Sequence, residues 1–126
     1  MNDADTTVAQ LRRLVEQFVD QRDWHPFHAP KNLAMSLAIE AAELMEHFQW
    51  LTPEQSRVVA AQPEKLSQVA DEMADVFCYL LAMANELGVD LAAALEAKMA
   101  KNAAKYPVEK YRGCFGPDDP NFRREV

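Results

Sequence analysis

Two pairs of acids carry the clearest chemical signal in this chain: Glu40-Ala-Ala-Glu43 and Glu72-Met-Ala-Asp75. On a helix, an i, i+3 spacing places both carboxylates of a pair on one side, one above the other. At 100° per residue from Leu33, the residues Leu33, Leu37, Leu44, Phe48 and Leu51 form an apolar stripe about 60° wide. Glu40 lies only about 20° outside that stripe, with His47 beside it and Glu43 one step further round. The second pair sits in a segment whose Leu66, Val69, Met73, Val76, Phe77, Leu80, Leu81 and Leu87 cover a broad face, while Tyr79 and Met83 flank Glu72. As solvated surface groups, such like-charge pairs cost a few tenths of a kcal/mol. Partly buried and unneutralised, each acid would cost far more. Neither segment has a Lys or Arg within four residues of its acids, so a divalent cation is the natural counter-charge. An all-oxygen donor set selects a hard ion, Mg²⁺ with Mn²⁺ as a substitute, and four carboxylates suit one ion or two.

Other metal chemistries fit less well. A di-iron site of the ferritin kind needs Glu-x-x-His on two helices, but His47 follows Glu43 by four residues and the second acidic segment contains no His. Zinc would want a Cys/His cluster, and His25, His28 and His47 lack its spacing. His47 therefore reads as a packing residue or a group behind the ligands. Lys98, Asn102 and Lys105 share a side with Leu91 and Leu95, and Tyr106 follows. Lysines near a helix end complement the dipole; beside an acidic metal site they would also donate to phosphate. Trp24 and Trp50, the only tryptophans, suit either core packing or stacking on a base.

The elements that must position these groups follow from periodicity and punctuation. An amphipathic helix is expected over about Thr6–Asp23, capped by Asp5 or Thr6. Trp24 to Pro30, with two prolines, forms an ordered turn. A second helix spans about Asn32, as its cap, to Leu51. Thr52-Pro53-Glu54-Gln55 starts a short helix with the pattern of a capping box, which stops near Pro63. A long helix covers roughly Glu64 to Leu87 and closes at Gly88. Asp90 caps a fourth main helix, Leu91 to about Lys105, ended by Pro107. Residues 1–112 are expected to form one domain, and 113–126 an irregular tail. The fold class is all-α: a four-helix bundle with a short extra helix.

Composition narrows the classes of function. The chain has 126 residues, 49% of them hydrophobic, and a net charge of −7, enough for one core and too acidic for a nucleic-acid binder. A phosphate-bearing small molecule stays open, because a metal inverts the local sign. Cys78 and Cys114 make no disulfide framework or C-x-x-C. The first ten residues lack the apolar core of a secretory signal. No stretch approaches the ~20 apolar residues of a membrane span. The expectation is a soluble, cytoplasmic protein with no membrane and no nucleic-acid partner.

Several motifs stand in a fixed order: Arg22-Asp23-Trp24, Phe27-His28, Pro30, Asn32-Leu33, Glu40-Ala-Ala-Glu43-Leu44, Phe48-Gln49-Trp50, Glu72-Met-Ala-Asp75-Val76, Lys98-Met-Ala-Lys-Asn102 and Lys105-Tyr106-Pro107-Val108. From about Leu11 to Arg112 the chain resembles the all-α nucleoside triphosphate pyrophosphatases of the MazG-like superfamily, in particular its dCTP pyrophosphatase branch. The resemblance implies that Glu40, Glu43, Glu72 and Asp75 are the metal-binding, catalytic acids. It implies that Trp24, His28, Trp50 and Asn102 line a nucleoside pocket, with Lys98 and Tyr106 near the phosphates. It implies hydrolysis of a (deoxy)nucleoside triphosphate, dCTP or a modified dCTP first, to the monophosphate and pyrophosphate. It also implies a homodimer or homotetramer in which neighbouring subunits help complete each site. The alternatives are other nucleotides on the same scaffold, or a non-catalytic helical module with a vestigial nucleotide site. All four acids stand, which favours the enzyme.

Overall fold

Helix boundaries in the computed structural model, which describes residues 1–124, are set by caps and prolines. Helix α1 (Val8–Asp20) starts with a capping box: Gln10 N–H donates to Thr7 Oγ1 and Thr7 N–H donates to Gln10 Oε1 at 2.7 Å. Thr6, one of the two caps expected, instead accepts from the Asn2 N–H. The expected turn contains a single 3₁₀ turn, His25–Phe27. Helix α2 (Pro30–Glu46) begins at Pro30 rather than being capped by Asn32. Proline's fixed φ and missing donor suit the first helical position, and the Asn32 amide donates back to the Phe27 carbonyl at 3.2 Å.

The short helix α3 (Pro53–Arg57) has the capping box expected of Thr52 and Gln55 and runs into a 3₁₀ turn, Val58–Ala61. Helix α4 (Pro63–Leu87) closes at Gly88, whose φ of 65° is left-handed, where glycine carries no Cβ penalty. Asp90 caps α5 (Leu91–Lys105) by accepting from the Ala93 N–H at 3.0 Å. A one-turn helix, α6 (Val108–Tyr111), follows where no helix was expected. Pro107 supplies its start, as proline does at helix entries. Among the described residues there is no strand.

The chain forms two compact units, Met1–Val89 and Asp90–Val126. In the first, α4 packs along α2 and against α1. Its core is Val15 and Val19 of α1, Leu33 of α2, Val59, and Val69, Leu81, Ala82 and Ala84 of α4. Arg12 locks α1 to the end of α4: its guanidinium donates to Asn85 Oδ1 (2.8 Å), the Val89 carbonyl (2.9 Å) and the Ala84 carbonyl (3.1 Å). Asn85 Nδ2 returns a bond to the Arg12 carbonyl at 3.0 Å. A cation thus adds a donor to the Ala84 carbonyl, which already accepts from the Val89 N–H at 3.0 Å, at the negative end of the helix dipole.

In the second unit, Tyr106 meets Tyr111 edge-on at 5.2 Å, and Tyr111 meets Phe122 at 5.1 Å. Asp119 accepts from the backbone N–H of Asn121 (2.8 Å) and Phe115 (3.1 Å), which holds its carboxyl below the usual range. These bonds order part of the tail; its last two residues, 125 and 126, lie outside the described ones.

Candidate metal centre and adjoining pocket

The side-by-side packing of α2 and α4 brings the two acid pairs onto one face of the first unit. Carboxylate oxygens of Glu40, Glu43 and Glu72 all lie within 4.8 Å of one another. Asp75 stands on the same side of α4 as Glu72, and its charge acts on Glu40. Glu40, half-buried, has its carboxyl pushed up by desolvation first and then by the charges of Glu43, Asp75 and Glu72. Among the described residues, the ion-pair partner these acids have is His47, whose Nε2 is 3.8 Å from Glu72 Oε1. That distance is too long for a hydrogen bond. Three clustered carboxylates, all oxygen donors, with a fourth beside them and no Lys or Arg bridging them, fit a hard divalent cation.

Beside Glu40 and Asp75 opens a pocket of about 260 Å³. Trp24 and His28 form one wall, and Phe18, Cys78 and Tyr79 contribute to the rest. Trp24 is held edge-on to Phe18 at 5.7 Å and tilted against His28 at 6.4 Å, and the Arg22 guanidinium covers Phe18 at 3.6 Å. The structure therefore groups six of the ten candidate residues: Glu40, Glu43, Glu72, Asp75, Trp24 and His28. Trp50, in the turn after α2, is 87% exposed and is not among the residues lining this pocket. Lys98, Asn102 and Tyr106 belong to the second unit. There Lys98 is exposed, Asn102 is half-buried with its amide 4.0 Å from Met99 Sδ, and Tyr106 lies under the Lys105 ammonium at 5.3 Å.

Sequence reasoning missed Phe18, Cys78 and Tyr79 as pocket residues. Tyr79 and Cys78 lie four and three positions after Asp75, so helical spacing already placed them over the acids. Phe18 carried no such signal, because only the packing of α1 on α4 brings it there.

Two further features belong to the first unit. His25 has both ring nitrogens on carboxylates: Nε2 to Asp20 Oδ1 at 2.7 Å and Nδ1 to Glu86 Oε1 at 2.8 Å, with Glu16 Oε1 3.4 Å from Nε2. These bonds push its pKa up to about 8. Between α1 and α4 lies an open apolar groove of about 410 Å³, lined by Leu11, Leu14, Phe18, Ala74 and Phe77 over Val15 and Leu81.

The chain is thus an all-helical protein with paired acids on two adjoining helices beside an aromatic pocket. The model of the MazG-like family matches residues 35–114, and the chain belongs to that family. It is 38% identical over 120 residues to a dCTP pyrophosphatase 1 of Bos taurus, covering 94% of this chain and 71% of the relative. It is 39% identical over 109 residues to a dCTP pyrophosphatase 1 of Rattus norvegicus, covering 86% of this chain and 64% of that protein. The match thus spans less than two thirds of the rat relative. The crystal structure of a pyrophosphatase from Archaeoglobus fulgidus superposes with a TM-score of 0.73 at 36% identity, covering 85% of this chain and 98% of that one.

Proposed function

We propose that this protein is a divalent-metal-dependent nucleoside triphosphate pyrophosphatase, hydrolysing dCTP or a modified dCTP to the monophosphate and pyrophosphate. The observation that carries the reading is the carboxylate cluster of Glu40, Glu43 and Glu72 opening, through Glu40, onto the Trp24–His28 pocket. Similarity to the dCTP pyrophosphatases supports the choice of substrate.

Glu40, Glu43, Glu72 and Asp75 would hold Mg²⁺, with Mn²⁺ as a substitute. When bound, the ion neutralises phosphate charge and acidifies a water. The carboxylates set where that charge sits, and one left partly free, Glu43 in our assignment, orients or deprotonates the attacking water. A volume of about 260 Å³ is below the usual range for a ligand pocket, about 300–1,000 Å³, and suits a single base better than a whole nucleotide. Trp24 offers the base a stacking face, and His28 offers it a hydrogen-bonding edge. By resemblance, Trp50 and Asn102 are assigned to the base, and Lys98 and Tyr106 to the phosphates.

The apolar groove and the exposed Leu14, Phe18, Phe77 and Leu80 support a homo-oligomer, a dimer or a pair of dimers, in which a second copy would cover them. Two free cysteines suit a reducing compartment such as the cytoplasm. The deciding experiment is a panel of nucleoside triphosphates with Mg²⁺, scoring pyrophosphate against orthophosphate. Pyrophosphate release, fastest with dCTP or its modified forms, is expected. Orthophosphate release, or turnover of none, overturns the reading.

A further inference from the structure

His25 is unusual because neither of its contacts can supply a proton. Ionised carboxylates accept only, yet Asp20 lies 2.7 Å from Nε2 and Glu86 lies 2.8 Å from Nδ1. With both carboxylates ionised, as near neutral pH, both short bonds require hydrogen on both nitrogens, which makes the ring an imidazolium. The charged groups facing it are Glu16 and Asp20 from α1 and Glu86 from α4. Arg22, nearby in the sequence, is turned away onto the Phe18 ring and carbonyl. The cation therefore ties three elements together: the end of α1, the 3₁₀ turn and the last turn of α4.

That turn carries the pocket wall. Trp24 immediately precedes His25, and the His28 N–H donates to the His25 carbonyl at 3.1 Å. Asp23, just before Trp24, has a positive φ of 50°, a conformation that costs a non-glycine residue energy and persists when its surroundings impose it. The Trp24 N–H returns to the Val19 carbonyl at 3.2 Å. Neither Trp24 nor His28 has its own polar side-chain bond to α4, whereas His25 has one through Glu86.

We propose that His25 is a positioning residue: its imidazolium pins the Trp24–His28 wall to α1 and α4, so that losing its proton weakens nucleotide binding without slowing bond cleavage. A neutral ring keeps one N–H, so one of the two carboxylates loses its donor and three acids face one another with no cation among them. The raised pKa of about 8 places the loss on the alkaline side of neutrality. The binding half rests on the nucleotide-hydrolase reading; the positioning half does not.

The test uses the full chain, His25→Gln, and Glu86→Gln, which removes the α4 end of the clasp. Proton NMR should titrate His25 near pH 8 in the wild type and closer to 6.5 in Glu86→Gln. In a Trp50→Phe background, Trp24 fluorescence should change with the same midpoint and lose that step in His25→Gln. With dCTP and Mg²⁺, KM should rise from pH 7 to pH 9, by up to about fivefold as for an exposed ion-pair coupling, while kcat follows the profile common to both proteins. His25→Gln should show the raised KM at pH 7 and no such step. A pH-independent Trp24 signal, or the same KM step in His25→Gln, overturns the proposal. Should no triphosphate be hydrolysed, the function reading fails and the NMR and fluorescence arms still decide the positioning role.

Discussion

Replacing Glu40 by Gln tests the proposed metal centre through stability as well as through turnover, which should be abolished. The cluster holds Glu40 within 4.8 Å of both Glu43 and Glu72. Two unit charges at that distance repel by about 0.9 kcal/mol in a water-like dielectric. A Debye length of about 8 Å at physiological salt reduces this to roughly half. Removing the Glu40 charge relieves both contacts, so the metal-free variant should be more stable by about 1 kcal/mol at physiological salt and about 2 kcal/mol at low salt. For a chain of this size that is a Tm increase of roughly 3–5 °C per kcal/mol.

Mg²⁺ reverses the order. At a hundredfold excess over Kd, a bound ion stabilises the wild type by about 2.7 kcal/mol, and the variant gains much less. The pH dependence carries a further sign. Glu40's carboxyl is raised in the fold, so its favourable contribution is present below the ordinary carboxylate value and is lost as pH rises through the folded one. The variant's metal-free advantage should therefore shrink as pH falls into the carboxylate range. Thermal melts of both proteins in chelator and in excess Mg²⁺, at low and high salt, check each step. A variant that melts lower without metal, or gains as much from Mg²⁺ as the wild type, refutes the reasoning.

Asp75→Asn should likewise abolish Mg²⁺-dependent turnover with helix content unchanged by circular dichroism. Arg12→Ala removes three bonds to the end of α4 and should cost about 1–3 kcal/mol in denaturant unfolding; Arg12→Lys, lacking the guanidinium fork, should restore little of it. Asp119→Asn should lower the Tm at neutral pH and converge with the wild type in acid, because a carboxyl held low contributes above its unfolded pKa and loses that contribution as pH falls through its folded one. Light scattering at micromolar concentration should report at least a dimer, and a monomer active in nucleotide hydrolysis would contradict the assembly proposed. Trp50→Ala should raise KM for dCTP, dUTP and dATP by similar factors. Asn102→Ala should lower kcat/KM most for dCTP, and an equal loss on all three would remove Asn102 as a base reader.

What was legible in the sequence was what one helix can encode alone. The spacing of Glu40 with Glu43 and of Glu72 with Asp75 located the acids, and their nearness to apolar stripes said they would face a neighbouring helix. Gly88, Asp90 and the Thr52–Gln55 box marked ends through local chemistry, and each stands where the pattern put it. The first helix start, expected at a cap of Asp5 or Thr6, was misplaced by one or two residues because several neighbouring side chains there are competent caps. Gln10 decides among them, lying three residues after Thr7 and forming the second half of the box. Asn32 was misread for a related reason: its amide found a partner in the Phe27 carbonyl, outside the helix.

The resemblance supplied Trp24 and His28, but the rest of the pocket and the His25 clasp were illegible because each is made by tertiary pairing. Phe18 reaches Trp24 only because the chain reverses through Asp23, and Glu86 reaches His25 across 61 positions of sequence. The long helix carries both functions on different turns. Its middle supplies Glu72 and Asp75 to the acids, and its last turn supplies Glu86 to the clasp and Asn85 to Arg12. A shift of α4 along α2 would therefore change the acid cluster and the pocket wall together. The Arg12 lock fixes the end of α4 against α1, the helix that carries the other end of the clasp at Asp20. Weakening it should loosen Trp24 as well as lower stability, an effect that Asp119→Asn, in the other unit, should not produce.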